Sequence, residues 1–308
     1  MTTPRILVVG SANIDLVTRV PRCPKPGESM IGSSFTTVCG GKGANQAVAA
    51  ARLGAQVHFA GCVGNDTFGT LQRQTLSEEG IDLTYLNKHP ELPTGTAVIM
   101  VADEGQNSII VTPAANYGIT PAHIEKLGPL FETLDAVMTQ LEIPLETVEA
   151  LLRTARAANV LSVLDAGPAQ KVPESIVELA DIVSPNETEA EAMTGVAVST
   201  VDDARQAAAQ LLAMGAKSAV IKMGAGGALY MSGKEWIHVP AYKVEAVDTV
   251  AAGDAFTAAL TIAWRRKPPL EAIRFANATG ALATTMHGAQ RSMPHRSTVD
   301  DFLKQKGH

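Results

Sequence analysis

Short apolar runs alternate with amphipathic stretches along most of the chain. Arg5-Ile6-Leu7-Val8-Val9-Gly10 is an apolar run closed by a turn, the pattern of a buried strand. Runs of the same kind recur at residues 57–61, 136–138, 160–165, 181–183 and 219–222. Between them, apolar positions at helical spacing predict helices over 44–53, 68–79, 144–158, 187–193 and 200–214. From about Ala252 onward the chain reads as nearly all helix. Continuous apolar strands alternating with amphipathic helices predict an α/β fold: a mostly parallel sheet covered on both faces.

Two segments break this rhythm. Residues 15–38 and 94–112 alternate apolar with polar positions and carry turn residues such as Pro24, Pro26, Gly27 and Asp103-Glu104-Gly105-Gln106. They read as antiparallel hairpin material, packed on one face and solvated on the other. Together they could form a small sheet projecting from the α/β body, serving as a lid, a dimer surface or an inert edge. The expected division is a body of residues 1–15, 39–93 and 113–308, with residues 16–38 and 94–112 forming the small sheet.

Composition narrows the function classes. With 308 residues, 46 % of them hydrophobic, the chain can bury a substantial core. A net charge of −6 without blocks of like charge argues against a nucleic-acid surface. Cys23, Cys39 and Cys62 form no CxxC or ligand-like cluster, so free thiols in a reducing compartment are expected. The apolar run at residues 6–9 is too short for a signal peptide, and no stretch approaches the roughly 20 apolar residues of a membrane span. A soluble, cytoplasmic protein is the expectation. The seven histidines show no HExxH spacing, and no G-x-S-x-G elbow occurs, which leaves zinc and hydrolase chemistry without support.

Five segments could carry chemistry. In Asp248-Thr249-Val250-Ala251-Ala252-Gly253-Asp254, small residues precede an apolar helix. They leave its first N–H groups uncovered, a ready site for an anion. A carboxylate at the same place could take a proton from a hydroxyl beside that anion, the combination phosphoryl transfer needs. Asp254 as an ordinary helix cap is the competing reading. Cys39-Gly40-Gly41-Lys42-Gly43-Ala44-Asn45-Gln46 is a glycine-rich turn entering a helix, not a Walker A loop, since no Ser or Thr follows its Gly-Lys pair. Gly10-Ser11-Ala12-Asn13-Ile14-Asp15 follows the first strand, where Asn13 and Asp15 would face a ligand crevice and suit sugar hydroxyls. It lacks a G-x-G-x-x-G dinucleotide fingerprint. In Pro185-Asn186-Glu187-Thr188-Glu189, Glu189 could hold magnesium through waters, or Asn186 and Glu189 could form a capping box. Lys222-Met223-Gly224-Ala225-Gly226-Gly227 would let a nucleotide lie against bare backbone, or turn a tight hairpin.

These segments occur together and in order, and over essentially its whole length the chain resembles the ribokinase-like family of carbohydrate kinases. The motifs that carry the resemblance lie at residues 10–15, 40–47, 185–190 and 248–254. It implies a doubly wound body with a small β-sheet lid that also pairs two subunits as a homodimer. It implies transfer of the ATP γ-phosphate to O5 of D-ribose, with Asp254 as base and the N–H groups of Ala251, Ala252 and Gly253 as anion hole. By the same resemblance Asn13, Asp15, Gly41, Lys42, Gly43, Asn45 and Glu142 contact the sugar. Asn186, Glu189 and Lys222, Met223, Gly224, Ala225, Gly226 and Gly227 serve ATP and its Mg2+, with Gly253 at the phosphates and Asn277 near the adenine. An activating monovalent cation, usually K+, is implied at Asp248, Val250, Ala283, Met286, Gly288 and Ser292, mostly through backbone carbonyls. Two departures from the family pattern stand out. Val250 and Ala251 replace threonine or serine and glycine, and Asn277 stands where some members carry histidine. Deoxyribose, fructose, adenosine and an inactive sugar- or nucleotide-binding regulator are the competing readings.

Overall fold

The computed structural model describes residues 3–104 and 106–307. Gly105 of the expected turn, and residues 1, 2 and 308 of the expected body, lie outside them. Among the described residues thirteen strands form two sheets: β1 (Arg5–Val9), β2 (Asn13–Val20), β3 (Ser34–Gly40), β4 (Gln56–Gly64), β5 (Asp82–His89), β6 (Gly95–Ala102), β7 (Asn107–Thr112), β8 (Ala136–Thr139), β9 (Leu161–Asp165), β10 (Ile182–Ser184), β11 (Ser218–Lys222), β12 (Ala228–Ser232) and β13 (Glu235–Val239). The nine-stranded body sheet runs β13-β12-β11-β10-β9-β8-β1-β4-β5. It is parallel from β5 to β11, and β12 and β13 add an antiparallel edge. The chain leaves β1 toward β4 and β5, then returns to build outward from β8, so order reverses between β1 and β8. Ligands of doubly wound sheets bind outside the carboxyl ends of the strands at such a point.

Alternation along β1 explains the layering. Ile6 and Val8 pack into one core with the helices Lys42–Arg52, Ala252–Trp264 and Pro269–Ala283. Leu7 and Val9 pack into the opposite core with Leu145–Ala157 and Val201–Ala213. The helix Lys42–Arg52 (KGANQAVAAAR) is rich in alanine, the strongest helix former, and stops at Leu53 before Gly54 (φ 91°). It enters through Gly41 at φ 90°, where a Cβ would stand 2.6 Å from the Asn13 nitrogen.

The predicted helices appear with ends moved by up to about two residues, within ordinary fraying. The sequence reading omits β5, β12 and β13: β5 and β13 are the two edge strands and mix polar with apolar residues, while β12 (ALYMS), paired on both sides, is a short apolar run that the reading passes over. Both irregular segments form a separate four-stranded sheet of order β3-β2-β6-β7. Its hairpins β2–β3 and β6–β7 are antiparallel, but they meet through a parallel β2–β6 pair, which alternation alone does not reveal. All three cysteines are free thiols. Among the described residues no helix is long and apolar enough to cross a membrane.

Candidate active site

Five body strands deliver side chains to one crevice at their carboxyl ends. Ser11 follows β1, and Gln140 and Glu142 follow β8. Asp165 ends β9, Asn186 follows β10 and Lys222 ends β11. Across the point of strand reversal, the Ser11 hydroxyl donates to Glu142 Oε2, which also accepts from the Lys42 N–H at 3.2 Å. Ser11 further accepts the first-turn N–H groups of Gly43 and Ala44 on the helix Lys42–Arg52. A Cβ on Gly43 would stand 2.7 Å from the backbone of Gly10 and Ser11, so Gly43 serves close packing of helix on strand.

Asp254 is not a helix cap. It is the third residue of Ala252–Trp264, whose cap position belongs to Ala251 and has no side-chain hydrogen bond. The buried Asp254 carboxylate instead accepts from Asn45 Nδ2 at 2.8 Å and Gln46 Nε2 at 3.3 Å. Burial, opposed by nearby Lys42 and reinforced by Asp165 and Glu142, pushes its pKa up to about 6. Among the described residues no backbone carbonyl accepts from the N–H of Ala251 or Gly253, and that of Ala252 reaches Thr249 O at a long 3.3 Å. Ala251 reaches this arrangement in the left-handed conformation (φ 61°), which costs a residue with a side chain roughly 1 kcal/mol.

Two ammonium groups organise the carboxylates. Lys222 Nζ donates to Asp165 Oδ1 at 2.9 Å and lies 3.9 Å from Glu189 Oε2. A Cβ on Gly253 would come within 3.8 Å of it, so Lys222 lies beside the helix start. Lys42 Nζ is 3.9 Å from Glu189 Oε1. Burial disfavours its charge, yet Asp254, Asp165, Glu189 and Glu142 together hold its pKa above the ordinary lysine value. Asp165 is also buried, but Lys222 and Lys42 with the Thr257 hydroxyl keep it below the usual carboxylate range.

The sugar-directed and nucleotide-directed candidates fall on neighbouring parts of the crevice. Asn13 and Glu142 line a pocket of about 280 Å³ with Asn116, Tyr117 and Gln170. Asn13 Oδ1 is held by Asn116 Nδ2 at 2.6 Å. Asp15 lies at the root of the small sheet, where burial and then the charges of Glu142 and Asp254 raise its pKa to about 7. Buried Asn45 Oδ1 has no partner among the described residues. Asn186 and Glu189 do form the capping box: Asn186 Oδ1 accepts from the Glu189 N–H at 2.9 Å, and Glu189 Oε2 from the Asn186 N–H at 2.7 Å. Residues 222–227 turn between antiparallel β11 and β12, with Gly224–Gly226 as one 3-10 turn after Met223. Ala225 is exposed on that turn. Asn277 Nδ2 donates to Val239 O at 3.0 Å and Pro240 O at 3.2 Å, beside Gly227, whose Cβ would meet the same carbonyl.

Of the residues expected at the cation, three are joined by hydrogen bonds. Asp248 accepts from the N–H groups of Val250 and Gly288, each at 3.0 Å. Ala283 ends its helix and Ser292 is buried in the following turn, while Met286 is exposed. Among the described residues no three His, Cys, Asp or Glu side chains cluster to hold a metal.

Gln46, Gln140, Asp165 and Thr257 are polar residues of the crevice that motif reading missed. Asp165 was recoverable, because it ends a predicted strand at the carboxyl edge that drew attention to Asn13. Gln46 lay inside a recognised motif but had no evident role from spacing.

Comparison with known proteins fits this geometry. The model of the pfkB family of carbohydrate kinases matches residues 3–296. The chain belongs to that family. The kinase is 39 % identical over 301 residues to the ribokinase of Haemophilus influenzae, covering 97 % of this chain and 98 % of the relative. It is 36 % identical to the deoxyribokinase of Salmonella typhi, covering 97 % and 98 %. The structure of Arabidopsis thaliana ribokinase complexed with ribose and ATP superposes with a TM-score of 0.90 at 34 % identity, covering 99 % of both chains. The carbohydrate kinase therefore has the expected doubly wound fold with a small second sheet.

Proposed function

We propose that the kinase transfers the γ-phosphoryl group of ATP to O5 of D-ribose, giving ribose 5-phosphate, with Asp254 as the base. The observation that carries the reading is the Asp254 carboxylate. It is buried, raised toward neutral pH, and set beside the N–H groups of Ala251 and Gly253, which no backbone carbonyl among the described residues takes, and that of Ala252, held only at a long 3.3 Å. A base works best with a pKa near the operating pH, and the N–H groups of Ala251, Ala252 and Gly253 can meet charge on the transferred group. Asn13, Asp15, Glu142 and Asn45 bind the sugar hydroxyls, the free Asn45 Oδ1 accepting from one of them. Gly41, Lys42 and Gly43 form the turn that frames them. The likeness to the ribose- and ATP-bound plant ribokinase supports this assignment.

The nucleotide lies along residues 222–227 with Asn277 at its far end, and its Mg2+ is held near Glu189. Both Glu189 oxygens already face protein donors or ammonium groups, which suits contact with the ion through water. Asp248, the carbonyls of Val250, Ala283, Met286 and Gly288, and Ser292 offer the hard oxygen donors that K+ takes. Bound there, the cation would supply positive charge and stiffen the segment that carries the anion hole. In this reading the small sheet acts as lid and homodimer surface. It exposes Phe35 and Ile110 on one face and Ile109 and Val111 on the other, apolar exposure of the kind that marks interaction surfaces. The setting is cytoplasmic.

The 36 % identity to a deoxyribokinase favours one second reading, deoxyribose as substrate. A coupled ADP-release assay over pentoses, deoxypentoses and hexoses separates the two. Ribose is expected to have the highest kcat/KM, because a site built for a hydroxyl rejects an analogue lacking it by up to roughly 10⁴-fold. Preference for 2-deoxyribose would overturn the assignment of ribose.

A further inference from the structure

A buried pair of amides stands behind Asp254. Gln46 follows Asn45 on the helix Lys42–Arg52 and has no solvent exposure. Its Nε2 donates to Asp165 Oδ2 at 2.9 Å and to Asp254 Oδ1 at 3.3 Å. Its Oε1 accepts from Gln140 Nε2 at 2.6 Å. The orientation is forced, since turning the amide over would aim its oxygen at two carboxylates. Gln140 is wedged against the chain after β1: a Cβ on Gly10 would collide with its side-chain oxygen. Neither glutamine lines the 280 Å³ pocket.

We infer that Gln46, anchored by Gln140, is a positioning residue that fixes the Asp254 carboxylate and ties it to the Asp165–Lys222 pair beside the helix start. The inference rests on the reading of Asp254 as the base. One nitrogen serving both carboxylates lets two acids of like charge share a dry interior in a defined geometry. The other charged groups facing Asp254 are Lys42, Glu142 and Asp15, and Lys222 stands behind Asp165. Lys42 stabilises the ionised Asp254, but its long side chain does not set which way the carboxylate turns. Gln46 and Asn45 hold one oxygen each, and so determine where the base points.

The test reads pH profiles of kcat and kcat/KM. The base must be ionised, so wild-type kcat/KM falls as pH drops through about 6, the raised value of Asp254. Gln46→Met keeps the side-chain length but removes both N–H donors. It is expected to lower kcat by roughly 10- to 100-fold and leave the sugar KM within about threefold. The acid limb should move upward by about half to one pH unit, since ionised Asp254 loses a donor. Gln140→Leu leaves Gln46 in place without its anchor and should move both readouts the same way, with kcat reduced by about threefold. It carries the test if Gln46→Met does not fold. An unmoved acid limb, or a loss confined to KM, overturns the inference. Asp254→Asn is the control: near-normal turnover in that variant refutes the base itself. An inactive Asp254→Asn beside an unshifted Gln46→Met refutes only the role of Gln46.

Discussion

Asp254→Asn is expected to lower turnover by at least about 100-fold while ATP binding is retained, the range lost when a general base is removed. The substitution keeps the volume of the side chain and one oxygen for Asn45 or Gln46. It removes the proton acceptor, and the uncovered N–H groups of Ala251 and Gly253 are left as they were. Nucleotide binding should persist, because the turn proposed for the nucleotide, residues 222–227, makes no hydrogen bond to the Asp254 carboxylate among the described residues. Steady-state turnover paired with calorimetric ATP titration checks both halves. Turnover within a few-fold of wild type would reduce Asp254 to a structural acid at the mouth of a helix.

Lys222→Met is expected to produce the largest loss of stability. Lys222 and Asp165 are 10 % and 0 % exposed in their side chains, and removing one partner of a buried pair leaves a charge uncompensated. That typically costs about 3 kcal/mol or more, which would lower the melting temperature by roughly 5 °C in a chain of this size. Gln46 and Thr257 still donate to the other Asp165 oxygen, which limits the damage. The pH dependence has a definite sign. Burial opposes the Asp165 charge, but Lys222 and Lys42 hold its pKa below the ordinary value. Its stabilising contribution is therefore present above the unfolded carboxylate pKa and lost as pH falls through the lowered one. The difference in melting temperature between wild type and Lys222→Met should be full at neutral pH and shrink in acid. Adding Asp165→Leu should recover only part of the loss, since it removes the orphaned charge but takes the acceptor from the buried Gln46 and Thr257 donors. An unchanged melting temperature in Lys222→Met would mean the pair contributes nothing.

The body of the fold was legible because its signals are local. Ile6 to Val9 alternate between two cores and so read as one continuous apolar run, while the alanine-rich turns after Lys42 repeat at helical spacing. The edge strands β5 and β13 lacked that signal, since they keep polar residues toward solvent. In the candidate site, motif and backbone coincide at Asp254 and Asn45, whose side chains meet. The site was not legible where side chains meet across long separations: Gln46 reaches Asp165 over 119 residues and Asp254 over 208. Of the two readings of Asn186 and Glu189, the capping box forms. The capping box uses Glu189 Oε2 and leaves Oε1 facing Lys42. Ala251 shows the converse, because its left-handed backbone could not be inferred from a residue that normally avoids it.

Transfer of phosphate from ATP to the O5 hydroxyl of ribose by this carbohydrate kinase has one direct signature. Phosphorus NMR of the purified protein with ribose, ATP and Mg2+ reads the product directly. Ribose 5-phosphate appearing in equal amount with ADP is the predicted result. ADP accompanied by free inorganic phosphate, or phosphate on another ribose oxygen, would contradict it.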